Sequence, residues 1–279
     1  MKIAAIGDIH SNHIALEKCL DWVYSHDIDG MVFLGDYVTD CPYPQRTMDI
    51  LRSIPERYLT WFVRGNREDY IIKYRKDPTG WSYGSRTGAL LYTYENLTDE
   101  AIDWLETMPM SADIHIDGCD PMRALHCPPY FFPRQKQPPA ELLQKTVSEM
   151  TTSVLLCAHS HVPLVYKQDG RLIVNSGSLG VPNGPTGAHF ALLEYNGGWN
   201  AEIIHLDYDI ETACAEFEES GLLERSHIWG IGTREMLRTG IEYAVNTVDE
   251  VTRLLKNDPE LTETEELWCK AARNVGLDI

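Results

Sequence analysis

Seven side chains of this 279-residue chain carry donor atoms suited to divalent metals: Asp8, His10, Asp36, Asn66, His126, His159 and His161. Two carboxylates, four imidazoles and one amide form a mixed nitrogen and oxygen shell that manganese, iron, zinc, nickel or cobalt can all accept. They make eight bonds if Asp36 gives one oxygen to each of two ions, and that bridge would set the metal spacing. Two carboxylates against two divalent ions leave two positive charges, cut to one by a bound hydroxide, because imidazole and amide are neutral ligands. Such a surplus attracts anionic oxygens, those of a phosphate ester foremost.

These residues follow short apolar runs bounded by turn residues. The runs are Lys2 to Ile6, Met31 to Leu34, Tyr58 to Val63, Arg123 to Leu125 and Val154 to Cys157, with Leu172 to Val174 after the last donor. They read as buried strands, whose carboxyl ends converge on one crevice. Within Asp8-x-His10 and His159-x-His161, the spacing puts both side chains on one side of an extended backbone, facing a common centre. Gly7, Gly35 and Gly65 permit tight turns beside them.

Between the early strands lie helical patterns. In Asn12 to Ser25, Ile14, Leu16, Leu20 and Val23 approximate one apolar face, and a second helix covers Tyr43 to Ile54. Alternation of strand and helix implies an α/β layered fold. Phe190 to Leu193 and Ala201 to Leu206, joined through Asn196-Gly197-Gly198, form a hairpin that adds antiparallel strands, as a second sheet. From Asp209 the pattern turns helical and acidic, with 17 Asp+Glu against 7 Lys+Arg between residues 205 and 279. The expectation is a catalytic domain over 1–206 and a helical C-terminal appendage over 207–279, a solvated cover over exposed sheet. Five prolines between Cys127 and Pro139 predict an ordered, non-helical loop.

The formal net charge of -18 argues against a duplex nucleic-acid partner, which needs clustered positive charge. Seven cysteines without a C-x-x-C pair suggest reduced thiols and a cytoplasmic home. No apolar stretch approaches the roughly 20 residues that span a bilayer.

The segments GDIH, GDYV, GNRE, LHCPP and AHSH, in this order, resemble the calcineurin-like metallophosphoesterase superfamily, and more narrowly its small prokaryotic phosphodiesterase branch. NSGSLGVPNG (175–184) is similar to the branch's asparagine- and glycine-rich motif, so the resemblance covers roughly residues 1 to 206. It implies a four-layer α/β/β/α sandwich. It also implies one metal held by Asp8, His10, Asp36 and His161 and a second by Asp36, Asn66, His126 and His159, with a bridging hydroxide that attacks phosphorus in line with the leaving group. The implied activity is hydrolysis of a phosphodiester or nucleotide phosphoanhydride, manganese being the favoured metal, with Asp36, Asn66, Arg67 and His126 as the catalytic set. The implied partner is a small phosphorylated substrate, such as a nucleotide.

Arg67 stands where many members of this superfamily carry histidine after the metal-binding asparagine. Arginine cannot donate a proton at ordinary pH, but its fixed fork can grip a phosphate oxygen; the alternative is a salt bridge with Glu68 or Asp69. Ala158 replaces a usual glycine, and Cys127 follows His126, its side chain expected to point away from that ligand in a packing role or one supporting the ligands. Asn12 and Asn175 are candidates for orienting metal-bound groups, and Asn12, Arg67 and Arg86 for touching substrate. Residues 70–94 gather Trp81 and several tyrosines among Lys73, Arg75, Lys76 and Arg86, the composition of a nucleobase-stacking lid or of a packing surface. Two competing functions are a protein phosphatase, which GDIH and GDYV also resemble, and a catalytically silent scaffold binding protein through its acidic helices.

Overall fold

The computed structural model describes residues 1–127 and 138–279; the proline-rich loop expected after Cys127 lies largely outside the described residues. The chain runs β1 (Lys2–Ile6), α1 (His13–Ser25), β2 (Gly30–Phe33), α2 (Pro44–Arg52), β3 (Leu59–Phe62), α3 (Asn66–Lys76), α4 (Gly88–Glu95) and α5 (Asp99–Thr107). It continues through β4 (Ser111–Ile114), β5 (Met122–Leu125), α6 (Ala140–Glu149), β6 (Val154–Cys157), β7 (Leu164–Gln168), β8 (Arg171–Asn175), β9 (Ala188–Tyr195) and β10 (Trp199–Leu206). It ends in α7 (Ile210–Glu219), α8 (Leu222–Thr239), α9 (Tyr243–Asn257) and α10 (Glu265–Asn274).

Two five-stranded sheets result, ordered β10-β9-β1-β2-β3 and β4-β5-β6-β8-β7. In the first, β1, β2 and β3 are parallel, β9 lies antiparallel beside β1 and β10 antiparallel beside β9; in the second, a parallel centre of β5, β6 and β8 is flanked by antiparallel β4 and β7. The period-two alternation of β1 and β2 explains the layering. Ile3, Ala5, Val32 and Leu34 point into a core shared with Met122, Ala124, Val154, Leu156, Leu172 and Val174 of the second sheet. Ala4, Ile6, Met31 and Phe33 point the other way, onto α1, α2 and α5. On the far side, Leu143 and Val147 of α6 cover Leu155 and Ile173. This is the α/β/β/α sandwich. Strands buried on both faces carry near-continuous apolar runs, which is why they were readable from sequence.

Three expectations change. The β9–β10 hairpin extends the first sheet, because β9 pairs with β1 (Ala4↔Leu192); the second sheet is built from β4 to β8. Ile14 leaves the main apolar face of α1 and packs with the C-terminal helices. Those helices do not cover a sheet: their two small cores contain no strand residue. One joins Ala213, Cys214, Phe217, Leu222, Met236 and Leu237 to Cys41, Ala89, Tyr92 and Val181; the other ties α8, α9 and α10 through Val251, Trp268 and Ala271. Residues 207–279 thus share a core with residues from before position 206, at the rim where β1 and β2 end. No helix among the described residues is long and apolar enough to cross a membrane, and no disulfide joins the cysteines.

Candidate metal centre

The ends of β1, β2 and β3 approach so closely that side chains are excluded between them. Gly35 has φ +88°, and a Cβ there would lie 2.5 Å from Gly65 N; a Cβ on Gly65 would fall 2.2 Å from Asp36 Oδ1. Only glycine satisfies both demands. Gly7 faces Ala158, to whose Cβ an added Cβ would come within 2.6 Å, so the bare Gly7 is what accommodates alanine at 158. The 175–180 segment pins the same loop: Ser178 Oγ and Gly180 N both donate to Asp8 O (2.8 and 2.9 Å).

Asp8, His10, Asp36, His159 and His161 all have positive φ, between 49° and 70°. The backbone there is left-handed rather than extended, a setting uncommon outside glycine that concentrates at functional sites. This changes the expected geometry of the second pair. Asp8 and His10 do face one centre, but His161 joins them while His159 turns to Asp36 and His126, giving two donor groups, each within 4.8 Å.

In the first group His10 Nε2 and His161 Nε2 are 3.2 Å apart, and Asp8 Oδ1 lies 3.9 and 3.7 Å from them. In the second, His126 Nε2 lies 3.1 Å from His159 Nδ1, 3.1 Å from Asn66 Oδ1 and 3.3 Å from Asp36 Oδ2. The groups meet at Asp36 Oδ2, which is also 3.8 Å from His10 Nε2. Its partner Oδ1 accepts the Arg67 N–H at 2.9 Å. Oδ2 is therefore the Asp36 oxygen that faces both donor groups.

The second contacts fix which imidazole nitrogen faces inward. His10 Nδ1 lies 2.8 Å from Asp40 Oδ2, His126 Nδ1 donates to Leu34 O (2.8 Å) and His161 Nδ1 to Val181 O (2.7 Å). With Nδ1 carrying the proton, each neutral ring turns a lone pair on Nε2 toward the centre. Asp8 Oδ1 is buried and accepts no hydrogen bond among the described residues, although Oδ2 accepts His159 N–H at 2.8 Å. Convergent lone pairs without protons between them, beside an orphaned buried carboxylate oxygen, fit cations.

The titration behaviour agrees. Burial, with the charge of Asp36 against that of His126, pushes the Asp8 carboxyl up to about 7. Burial opposes ionisation of Asp36, but the charge and hydrogen bond of His126 hold it far below the usual carboxylate range. Burial would lower His126, yet the charge and hydrogen bond of Asp36, then Asp8, push it up to about 10. Burial lowers His159 and His161. The carboxylates thus demand positive charge at the His126 Nε2 position, where a metal ion competes with a proton.

Comparison with known proteins decides the family. The model of the calcineurin-like phosphoesterase superfamily domain matches residues 1–198. The chain belongs to that superfamily. Membership makes it a metal-dependent phosphoesterase, and the solved structures it resembles share the sandwich. A metallophosphoesterase from Sphaerobacter thermophilus superposes with a TM-score of 0.66 at 23% identity, covering 86% of this chain and 100% of that one. The hypothetical protein PH1004 from Pyrococcus horikoshii gives a TM-score of 0.69 at 21% identity, covering 86% and 98%. The uncharacterized protein MJ0912 of Methanocaldococcus jannaschii is 23% identical over 240 residues, 80% of this chain and 94% of its own length.

Within this phosphoesterase the remaining sequence expectations divide. Arg67 pairs with neither Glu68 nor Asp69. Its Nη2 lies 3.0 Å from Asp40 Oδ2, and Asp69 is taken by Arg64 at 2.9 Å. Asn175 braces the histidine pair, donating to Ala158 O (2.7 Å) and Ser160 Oγ (3.1 Å). Asn12 is committed at both ends: it caps α1 through Ala15 N and donates to Gly180 O and Tyr208 OH. Arg86 pairs with Glu263 and lies 5.4 Å over the Trp268 ring, so its contacts are with the C-terminal helices. Arg75 and Lys76 are paired with Asp103 and Glu106. Tyr74 stacks on Trp81 at 4.0 Å and meets Tyr94 edge-on, so the packing reading of the aromatic stretch holds for these rings. Cys127 is exposed.

Two positioning groups escaped the sequence reading. Glu68, fully buried, accepts backbone N–H groups of Gly65 (2.7 Å), Asp36 (2.8 Å) and Tyr37 (2.8 Å), welding the GNRE turn to the GDYV turn. Its spacing, three residues after the helix-capping Gly65, was a usable signal. Asp40, which joins His10 to Arg67, had none.

Proposed function

We propose that this phosphoesterase hydrolyses phosphodiesters or nucleotide phosphoanhydrides with two divalent transition ions. Asp8, His10, Asp36 and His161 would hold one, and Asp36, Asn66, His126 and His159 the other. The observation that carries the reading is Asp36 Oδ2, 3.8 Å from His10 Nε2 and 3.3 Å from His126 Nε2, a carboxylate oxygen common to two donor groups. When bound, the ions supply Lewis acidity and acidify water into a nucleophile, so no side-chain nucleophile is required.

The residues around the ligands favour the diester. Asp40 balances the charge of Arg67, so the guanidinium adds direction but no net charge. The surplus is then the single positive charge left by two ions, Asp8, Asp36 and a hydroxide, which matches a phosphodiester monoanion better than a monoester dianion. Arg67 cannot protonate a departing alkoxide, which favours leaving groups stable as anions, such as phenolates and phosphates.

An aryl phosphodiester and the matching monoester, offered to metal-stripped protein before and after manganese, test this, with Asp36→Asn as control. Diester preference that requires both manganese and Asp36 is expected. No metal-dependent turnover of either ester would overturn the reading.

A further inference from the structure

Helix α8 is kinked at His227, whose φ of 44° and ψ of -120° are far from helical. The kink is stapled rather than loose. Ser85 Oγ accepts the Ile228 N–H (3.1 Å) and donates to Glu265 Oε2 (2.5 Å), and the same Oε2 lies 3.1 Å from His227 Nδ1. Glu265 opens α10, so the last helix of the chain holds the bend in α8.

Two residues beyond the bend, Trp229 leaves the C-terminal helices for the metal centre. Its Nε1–H donates to Asp40 Oδ1 at 2.8 Å. The other oxygen of that buried carboxylate lies 2.8 Å from His10 Nδ1 and 3.0 Å from Arg67 Nη2. The Arg67 guanidinium carbon sits 5.5 Å from the Trp229 ring centroid, within cation–π range. The indole therefore holds Arg67 twice, by its face directly and by its N–H through Asp40. A tryptophan serving only as packing has no need to aim its single donor at a buried carboxylate between a candidate ligand and a cation.

We propose that Trp229 is a positioning residue for Arg67, so that the C-terminal helices form part of the grip on the substrate phosphate. The proposal rests on the phosphoesterase site described above and extends it to residues 207–279. A long arginine side chain loses much rotamer freedom when fixed. Asp40 and the indole set that freedom aside before the phosphate arrives, and pre-organised donors bind and stabilise charge better than mobile ones.

The test compares wild type, Trp229→Phe, Arg67→Ala and the double variant, all manganese-loaded. Trp229→Phe keeps an aromatic face but removes the donor. Two readouts are taken: aryl phosphodiester kinetics, and calorimetric titration with inorganic phosphate, which is independent of which ester is turned over. Trp229→Phe is expected to weaken phosphate binding and kcat/KM by about tenfold with unchanged manganese content, and to cost less than about twofold more in the Arg67→Ala background. Undiminished phosphate affinity in Trp229→Phe, or losses that multiply independently in the double variant, would overturn the proposal. If Trp229→Phe does not fold, Glu265→Gln, which loosens the staple from a distance, carries the same coupled expectation and the same contrary result. A wild type that binds phosphate yet hydrolyses no ester removes the proposed function and leaves this proposal standing on the titration; a wild type that binds no phosphate removes both.

Discussion

Arg67 and its neighbour Glu68 show how much chemistry turns on where one side chain is satisfied. Both follow Asn66 in the chain, where a salt bridge of Arg67 with Glu68 or Asp69 was the alternative to a grip on phosphate. Instead Glu68 turns inward to backbone amides and Arg67 outward to Asp40, 27 positions earlier. A buried carboxylate accepting several N–H groups is costly to replace. Glu68→Gln puts an amide N–H₂ against backbone donors and is expected to lower unfolding free energy by about 2 kcal/mol or more in urea titration; a loss below about 0.5 kcal/mol would contradict the role assigned to it. Arg67→Ala should lower diester turnover more than it lowers manganese content, since Arg67 offers no metal-binding atom. Equal turnover before and after the change would remove Arg67 from the site. The candidate ligands were legible as a set, because their types and order carry the pattern. Asp40 and Trp229 were not, since a contact between residues 189 positions apart leaves no local trace.

At the scale of elements, the strands were readable where apolar runs met turn residues, and their positions followed from burial on both faces. What could not be read was the backbone at their ends. Positive φ at five of the seven candidate ligands is imposed by tertiary packing, with glycine at 35 and 65 making room, so reasoning from extended-chain alternation misjudged where His159 points. The hairpin offers a test of packing electrostatics. His189 on β9 is buried and stacks at 4.9 Å on His205, its partner on β10. Burial, then His205, depresses its pKa from 6.5 to about 4. The unfolded chain takes up that proton first, so the contribution is full above about pH 6.5 and is lost as pH falls toward 4. Urea unfolding from pH 7 to pH 4 should show wild type losing more stability than His189→Gln across that window. Parallel curves would contradict the depressed pKa.

Across the whole molecule, the acidic balance of -18 disfavours a polyanion partner. The C-terminal helices pack onto residues from before position 206 through a shared core and through the contact of Trp229 with Asp40. Metal binding that requires the folded centre should also stabilise it: manganese at about 100 times its Kd adds about 2.7 kcal/mol per site, visible as a higher Tm that a chelator reverses. An unchanged Tm would mean that the ions are held no better by the folded chain than by the unfolded one. Asp36 is proposed to join two metal sites in one centre, and calorimetric titration of metal-stripped protein with manganese reads that role out. Two ions per chain in wild type, with the affinity of both sites reduced in Asp36→Asn, is the predicted result; a single ion per chain, or two whose affinities are indifferent to Asp36, would contradict it.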